Sequence, residues 1–166
     1  QTANDTRQPC DAKLLVTVRD VESGSAVVSR ESYVTCLPRG LSTDISLSVG
    51  DKLRYWDEFD PHVYELCAEL RTTHGTDTVT ADFGMRELSQ SGTQLAINGR
   101  PTFLRGALEK FVHPITGYPP TDMDYWMRIW EVNRSHGLNH IRFHSCCPPE
   151  AAFAAADRLG MILNVE

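Results

Sequence analysis

Nothing in this chain of 166 residues approaches the roughly 20 consecutive apolar residues that a membrane-spanning helix requires. Positive charge is also scarce: 16 Lys and Arg stand against 22 Asp and Glu, a net charge of −6. That balance argues against nucleic acid or an anionic membrane as the main partner. The five cysteines contain no CxxC pair, and their spacing suits neither a zinc ribbon nor a redox centre, so no metal or cofactor is expected. Cys36 and Cys67 flank Trp56, but the interval is too short for the inter-sheet disulfide of an immunoglobulin domain. All five read as reduced thiols, and they fix no compartment. The adjacent Cys146 and Cys147 precede a predicted helix, a position that lowers thiol pKa values. The chain opens at Gln1 without an initiator Met, leader or anchor, which predicts a processed protein or an excised piece.

What is present is a change of period. Residues 1–9 are polar and aperiodic, an expected frayed end. From Asp11 onward apolar residues alternate: Leu14, Val16 and Val18, then a turn at Glu22–Gly24, then a β-rich stretch at Ala26–Leu37 that breaks at Pro38-Arg39-Gly40. Ile45, Leu47 and Val49 alternate with polar neighbours before a turn at Gly50-Asp51. Tyr64, Leu66, Ala68 and Leu70, and then Val79, Ala81 and Phe83, alternate again. Short strands between regular turns predict an antiparallel β-sandwich. Leu88–Gln94 reads as a polar connector, and Asn98-Gly99 is a strong hairpin signal.

Beyond residue 101 strands alternate with helix-length segments. Leu104–Glu109, His140–His144 and Met161–Glu166 are strand-like. Between them, Met123, Trp126, Ile129, Trp130 and Asn133 fall at helical spacing after an expected N-cap at Thr121, and Gly137 closes the helix. Pro148-Pro149-Glu150 opens a second helix that ends at Gly160. The two tryptophans read as core, not as a sugar platform. Strand side chains alternate between faces. Ile141 and Phe143 therefore share one face while Arg142 and His144 share the other, and Ile162, Asn164 and Glu166 lie opposite Met161, Leu163 and Val165. This is the wall pattern of a (β/α) barrel, polar at the C-terminal strand ends where such barrels place active sites. Three strands make only part of a barrel. The expectation is an immunoglobulin-like sandwich over 10–89, a connector over 90–100, and the first three strands and two helices of a truncated (β/α)8 barrel over 101–166.

Several motifs, in series, resemble glycoside hydrolase family 2, the group of β-galactosidases, β-glucuronidases and β-mannosidases. WDEFDPHVYEL from Trp56 is similar to the family's W-x-P-x-x-P-x-L-Y segment, departing at the first proline. Phe83-Gly84-Met85-Arg86 resembles the stretch that ends the family's immunoglobulin-like domain. Asn98-Gly99-Arg100-Pro101 with Leu104-Arg105-Gly106 resembles the entry into its catalytic barrel. Gly137-Leu138-Asn139-His140-Ile141-Arg142, and then Asp157-Arg158-Leu159-Gly160 followed by Glu166, resemble its second and third strand regions. Two stretches depart from the pattern: Phe143–Pro149, and Ala107–Phe111 with His113-Pro114 after it. Both border the sugar pocket in that family, so the resemblance assigns no particular sugar.

The resemblance implies a retaining β-glycosidase acting on a carbohydrate substrate, in a secreted or periplasmic parent. It also implies that the acid/base and nucleophile glutamates, on the family's fourth and seventh strands, lie outside this chain, which is then inactive by itself. Arg142 would orient the nucleophile carboxylate, or pair with Glu166 as a barrel ion pair. His144 would contact a sugar hydroxyl or serve as a hydrogen-bonded structural residue, Glu166 would stand beside the substrate or a bound cation, and Glu109 follows the first strand, paired with Lys110 or turned to the pocket. Glu109 and Glu166 are the carboxylates that would mimic a catalytic dyad. A partial barrel leaves strand edges open, which predicts self-association through 101–166. A carbohydrate- or protein-binding sandwich module without catalysis, or a structural spacer, is the alternative.

Overall fold

In the computed structural model, residues 8–38 and 44–166 are described, so the frayed tail and the Pro38-Arg39-Gly40 break lie largely outside the described residues. The chain divides into two compact units, one of residues 1–53 and 63–83 and one of 54–62 and 84–166.

The first unit is built on one antiparallel sheet. Its strands β1 (Cys10–Asp20), β2 (Ala26–Cys36), β3 (Tyr64–Thr72) and β4 (Gly75–Phe83) lie in the order β2-β1-β3-β4. Central β1 sets Val16 opposite Arg30 and Ala68, and Val18 opposite Val28 and Leu66. The alternating residues Ala12, Val16 and Val18 are buried, as their period requires. The turn after β1 is closed by the Asp20 carboxylate, which accepts from the Ser23 backbone N–H at 2.7 Å. The strand expected at Ile45–Val49 is absent: residues 44–49 have no regular structure and lead into a 3₁₀ turn at Gly50–Lys52. Ile45, Leu47 and Val49 are still half-buried while Ser46 and Ser48 are exposed. Alternation predicted which side chains turn inward, but it does not supply a ladder partner.

In the second unit an antiparallel ribbon precedes a parallel sheet. Strands β5 (Leu88–Ser91), β6 (Gln94–Ile97) and β7 (Arg100–Pro101) pair in chain order. The Asn98-Gly99 turn has positive φ at both residues, 51° and 74°, as a two-residue hairpin needs. The expected connector at Leu88–Gln94 is instead a second hairpin, turned at Gly92 with φ 61°. Strands β8 (Gly106–Glu109), β9 (His140–Phe143) and β10 (Ile162–Val165) then run parallel in the order β10-β9-β8, linked by helices α1 (Met123–Ser135) and α2 (Glu150–Leu159).

The helices cover the apolar face of that sheet. Trp126, Trp130, Ile141, Phe143, Ala152, Ala155 and Met161 form its core. Each indole of α1 has an answer for its N–H: Trp126 donates to the Pro120 carbonyl at 2.8 Å, and Trp130 to that of Ala152 at 3.0 Å. Both tryptophans are core residues, as their spacing predicts. The α1 N-cap is Asp122, which accepts from Tyr125 N at 2.8 Å, one residue later than the expected Thr121.

Segment 54–62 is fastened to the N-terminal ends of β8 and β9. The Glu58 carboxylate accepts from Arg105 Nη2 at 2.8 Å and from Asn139 Nδ2 at 2.6 Å. Asn139, itself buried, accepts from Arg105 N at 2.7 Å, which is why β8 begins at Gly106 and not at Leu104. Trp56, 1% exposed, donates its indole N–H to the Asp157 carbonyl at 2.6 Å. Arg134 Nη1 reaches the Glu58 carbonyl at 2.7 Å.

Gly160 ends α2 with φ 70° at the edge of this clamp, and a Cβ there would meet the Glu58 carbonyl oxygen at 2.6 Å. Gly24 has nearly the same φ, 69°, with open space around it. Alanine at Gly24 is expected to cost about 1–2 kcal/mol, the left-handed backbone penalty alone. Alanine at Gly160 adds a clash with backbone, and a urea melt in which both variants lose the same stability would refute the close packing described for Gly160.

Candidate functional site

The C-terminal ends of the three parallel strands gather the polar residues. In a parallel ladder, paired residues share a face. Arg142 pairs in register with Leu108 on β8 and Asn164 on β10, so these three project from the face opposite the helices. Phe143, fully buried, is in register with Glu109 and Val165. Arg142 Nη2 meets Glu166 Oε2 at 2.5 Å, with both side chains about half exposed. Glu166 is held at the end of β10 by its N–H, which donates to the Phe143 carbonyl at 3.2 Å.

His144 follows β9 and is exposed. Its backbone N–H donates to the Glu109 carbonyl at 2.9 Å, and its Nδ1 lies 3.1 Å from Ser145 Oγ. Ser145 adopts φ 58°, turning the chain sharply after the strand. Glu109 is directed elsewhere: its Oε1 accepts from Phe111 N at 2.7 Å, and the Phe111 ring stacks on Phe143 with centroids 5.3 Å apart. The structure thus brings Arg142 and Glu166 together, sets His144 one residue beyond β9, and separates Glu109 from them by face parity. Glu109 and Glu166 do not form a dyad, because register with Phe143 turns Glu109 toward the helix side.

Leu108 and Asn164 share the Arg142 face without standing out in the sequence as candidate site residues. Strand parity marks Asn164, whereas Leu108 becomes visible only once the β8–β9 register is known. Among the described residues, no three His, Cys, Asp or Glu side chains are grouped to hold a metal ion.

Cys146 and Cys147 lie in the loop from β9 to α2. Burial raises the Cys146 thiol above its ordinary value, and the Glu109 and Cys147 charges push it the same way. This direction is opposite to the one a helix start alone would give, and Cys146 is not an activated thiol. Cys147 is exposed and Cys146 half-buried. At neutral pH, maleimide labelling followed by peptide mass mapping is expected to modify Cys147 well before Cys146. Equal or reversed labelling would contradict this order.

No family model matches the chain. A β-galactosidase of Vibrio vulnificus strain YJ016 is 28% identical over 102 residues, which is 55% of this chain and 10% of that protein. The solved structures are more extensive matches. A glycosyl hydrolase family 2 member from Bacteroides cellulosilyticus superposes with a TM-score of 0.78 at 21% identity, covering 95% of this chain and 20% of that one. The β-glucuronidase of Parabacteroides merdae gives 0.73 at 24% identity, covering 96% and 20%. A putative β-galactosidase from Bacteroides fragilis gives 0.76 at 20% identity, covering 97% and 24%. The chain thus spans about a tenth of the curated relative and about a fifth of the first two solved proteins. Over nearly its whole length, it resembles solved members of glycosyl hydrolase family 2 in fold.

Proposed function

We propose that this chain is part of a retaining β-glycosidase of glycoside hydrolase family 2 that acts on a carbohydrate O-glycosidic bond. In this reading the four-stranded sheet of the first unit belongs to the immunoglobulin-like domain expected over 10–89, the β5–β7 ribbon takes the place of the connector expected over 90–100, and 101–166 is the opening of the catalytic barrel. What supports it is the fold shared with family 2 proteins over nearly the whole chain, together with the polar C-terminal ends of β9 and β10, where Arg142 meets Glu166 in the barrel ion pair that is the alternative to a role at the nucleophile. The catalytic acid/base and nucleophile are supplied by later strands of the parent.

Arg142 is the positioning residue. Its guanidinium has a planar set of donors, so Glu166 can hold one edge of it while another edge orients the nucleophile carboxylate. A fixed arginine also keeps that carboxylate ionised. Glu166, Asn164 and His144 then present acceptors and donors to sugar hydroxyls at the same mouth, and Glu109 stays out of the pocket as a brace for the loop after β8. The alternative of a binding module built on the first unit has less support. Within 11–89 the exposed aromatic residues are Tyr33 in the first unit and Tyr55 and Phe59 in the second, so no single strand presents a stacking strip.

A panel of nitrophenyl β-glycosides separates the readings. The 166-residue chain is expected to be silent, and the longer parent active. In the parent, Arg142→Ala is expected to lower kcat/KM about a hundredfold through misplacement of the nucleophile, with a smaller change in KM. Hydrolysis by the 166-residue chain itself would overturn the division of catalytic groups.

The same reading assigns self-association to the isolated chain. Among the described residues, β8 and β10 each pair only with β9, so both edges of the parallel sheet present unanswered backbone groups. Leu104 and Leu108 are exposed beside one edge and Val165 beside the other. Light scattering is expected to give a mass above 18.6 kDa that rises with concentration. A constant monomer mass across the range would count against it.

A further inference from the structure

Tyr55 stands 67% exposed beside the fully buried Trp56. An isolated bridge from Tyr55 to Met85 holds the backbone there extended, so the two rings point to opposite sides. Tyr55 forms part of the wall of a cleft of about 570 Å³ completed by Arg54, Asp57, Asp60, Glu87, Asn98 and Arg100. None of these residues lies on β8, β9 or β10. Small-molecule pockets span roughly 300–1,000 Å³ and are mostly apolar. This one has the volume, and its lining residues are of polar type while the surface they expose is mixed.

The polar groups of the wall are paired with one another. Arg54 Nη2 pairs with Asp60 Oδ1 at 2.5 Å, and Arg100 Nη1 with Asp57 Oδ2 at 3.5 Å. Asp57 Oδ1 accepts from the N–H groups of Phe59 and Asp60 at 2.8 and 2.9 Å. Asn98 Nδ2 donates to the Trp56 carbonyl at 3.0 Å, while Asn98 Oδ1 accepts from Glu87 N at 2.9 Å. Arg54 holds the Asp60 carboxyl below its ordinary value, so that acceptor stays ionised into weakly acidic solution.

The chemistry selects the ligand class. Two guanidinium groups face three carboxylates, a near balance that favours neither a polyanion nor a polycation. A hydroxyl both donates and accepts, so a vicinal diol can bridge a guanidinium and a carboxylate together. An exposed phenol ring offers an apolar face with a polar tip, which suits the C–H face of a pyranose. We propose that this cleft binds a neutral oligosaccharide, stacked on Tyr55 and hydrogen-bonded through the Arg54–Asp60 and Arg100–Asp57 pairs. The site does not rest on the reading of the barrel mouth and is tested apart from it.

The test is saturation-transfer NMR and calorimetric titration of the full chain. The probes are neutral tetrasaccharides of glucose, galactose, mannose and xylose, with tetragalacturonate as the charged control. At least one neutral probe is expected to bind. Tyr55→Ala should weaken it at least about tenfold, as truncation of an aromatic anchor does, while Tyr55→Phe and Arg142→Ala retain it. Should Tyr55→Ala fail to fold, Arg100→Ala, at a side chain 74% exposed, supplies the same reading. No binding by any neutral probe, binding unchanged in a folded Tyr55→Ala, or preference for tetragalacturonate overturns the proposal. Binding lost in Arg142→Ala but kept in Tyr55→Ala overturns it too, and places the saccharide at the barrel face.

Discussion

The second unit depends on one carboxylate. Glu58 has only 11% of its side chain exposed, and a charge so placed must be answered or it destabilises the fold. Its answers, Arg105 and Asn139, are the residues immediately before β8 and β9. A single negative group therefore indexes two neighbouring strands and the segment carrying Trp56. The Trp56–Asp157 hydrogen bond and the Arg134–Glu58 carbonyl contact draw α2 and α1 into the same junction. At the other end of the same strands the Arg142–Glu166 pair is half exposed and contributes little to stability. One end of the sheet is thus tied down, and the other carries charge that is free to serve a ligand.

The local pattern made much of this legible. Helical spacing of Trp126, Ile129 and Trp130, the Asn98-Gly99 turn and the glycine closing α2 each have a short-range physical cause, and each appears where it is expected. Strand parity likewise separated Arg142 from Phe143. What failed was the step from side-chain facing to pairing. Ile45–Val49 alternates properly, yet alternation describes only which way side chains turn, and a strand also needs a neighbour. The short β5 is not legible for the converse reason: Leu88–Ser91 has only one apolar residue, and its place in a ladder comes from β6.

The candidate site shows the same division. Arg142 and Glu166 were legible because both sit at fixed parity on predicted strands. Glu109 was not, since its face depends on a register that no single strand reveals. At Cys146 the nearby helix start is visible in sequence, while the burial and the Glu109 charge that raise its pKa are tertiary. Likewise, no periodicity signals that 54–62, between two stretches of the first unit, packs with the second.

The Asn98-Gly99 turn has a further meaning for the lifetime of the molecule. In an Asn–Gly pair the side-chain amide is readily attacked by the next backbone nitrogen, giving a succinimide and then isoaspartate. Here both ends of the Asn98 amide are occupied, one by the Trp56 carbonyl and the other by the Glu87 N–H. Rotation toward the Gly99 nitrogen sacrifices both bonds, so the folded turn resists ageing and the unfolded one does not. The isoaspartate content at residue 98 is thereby a chemical record of the time each molecule has spent unfolded.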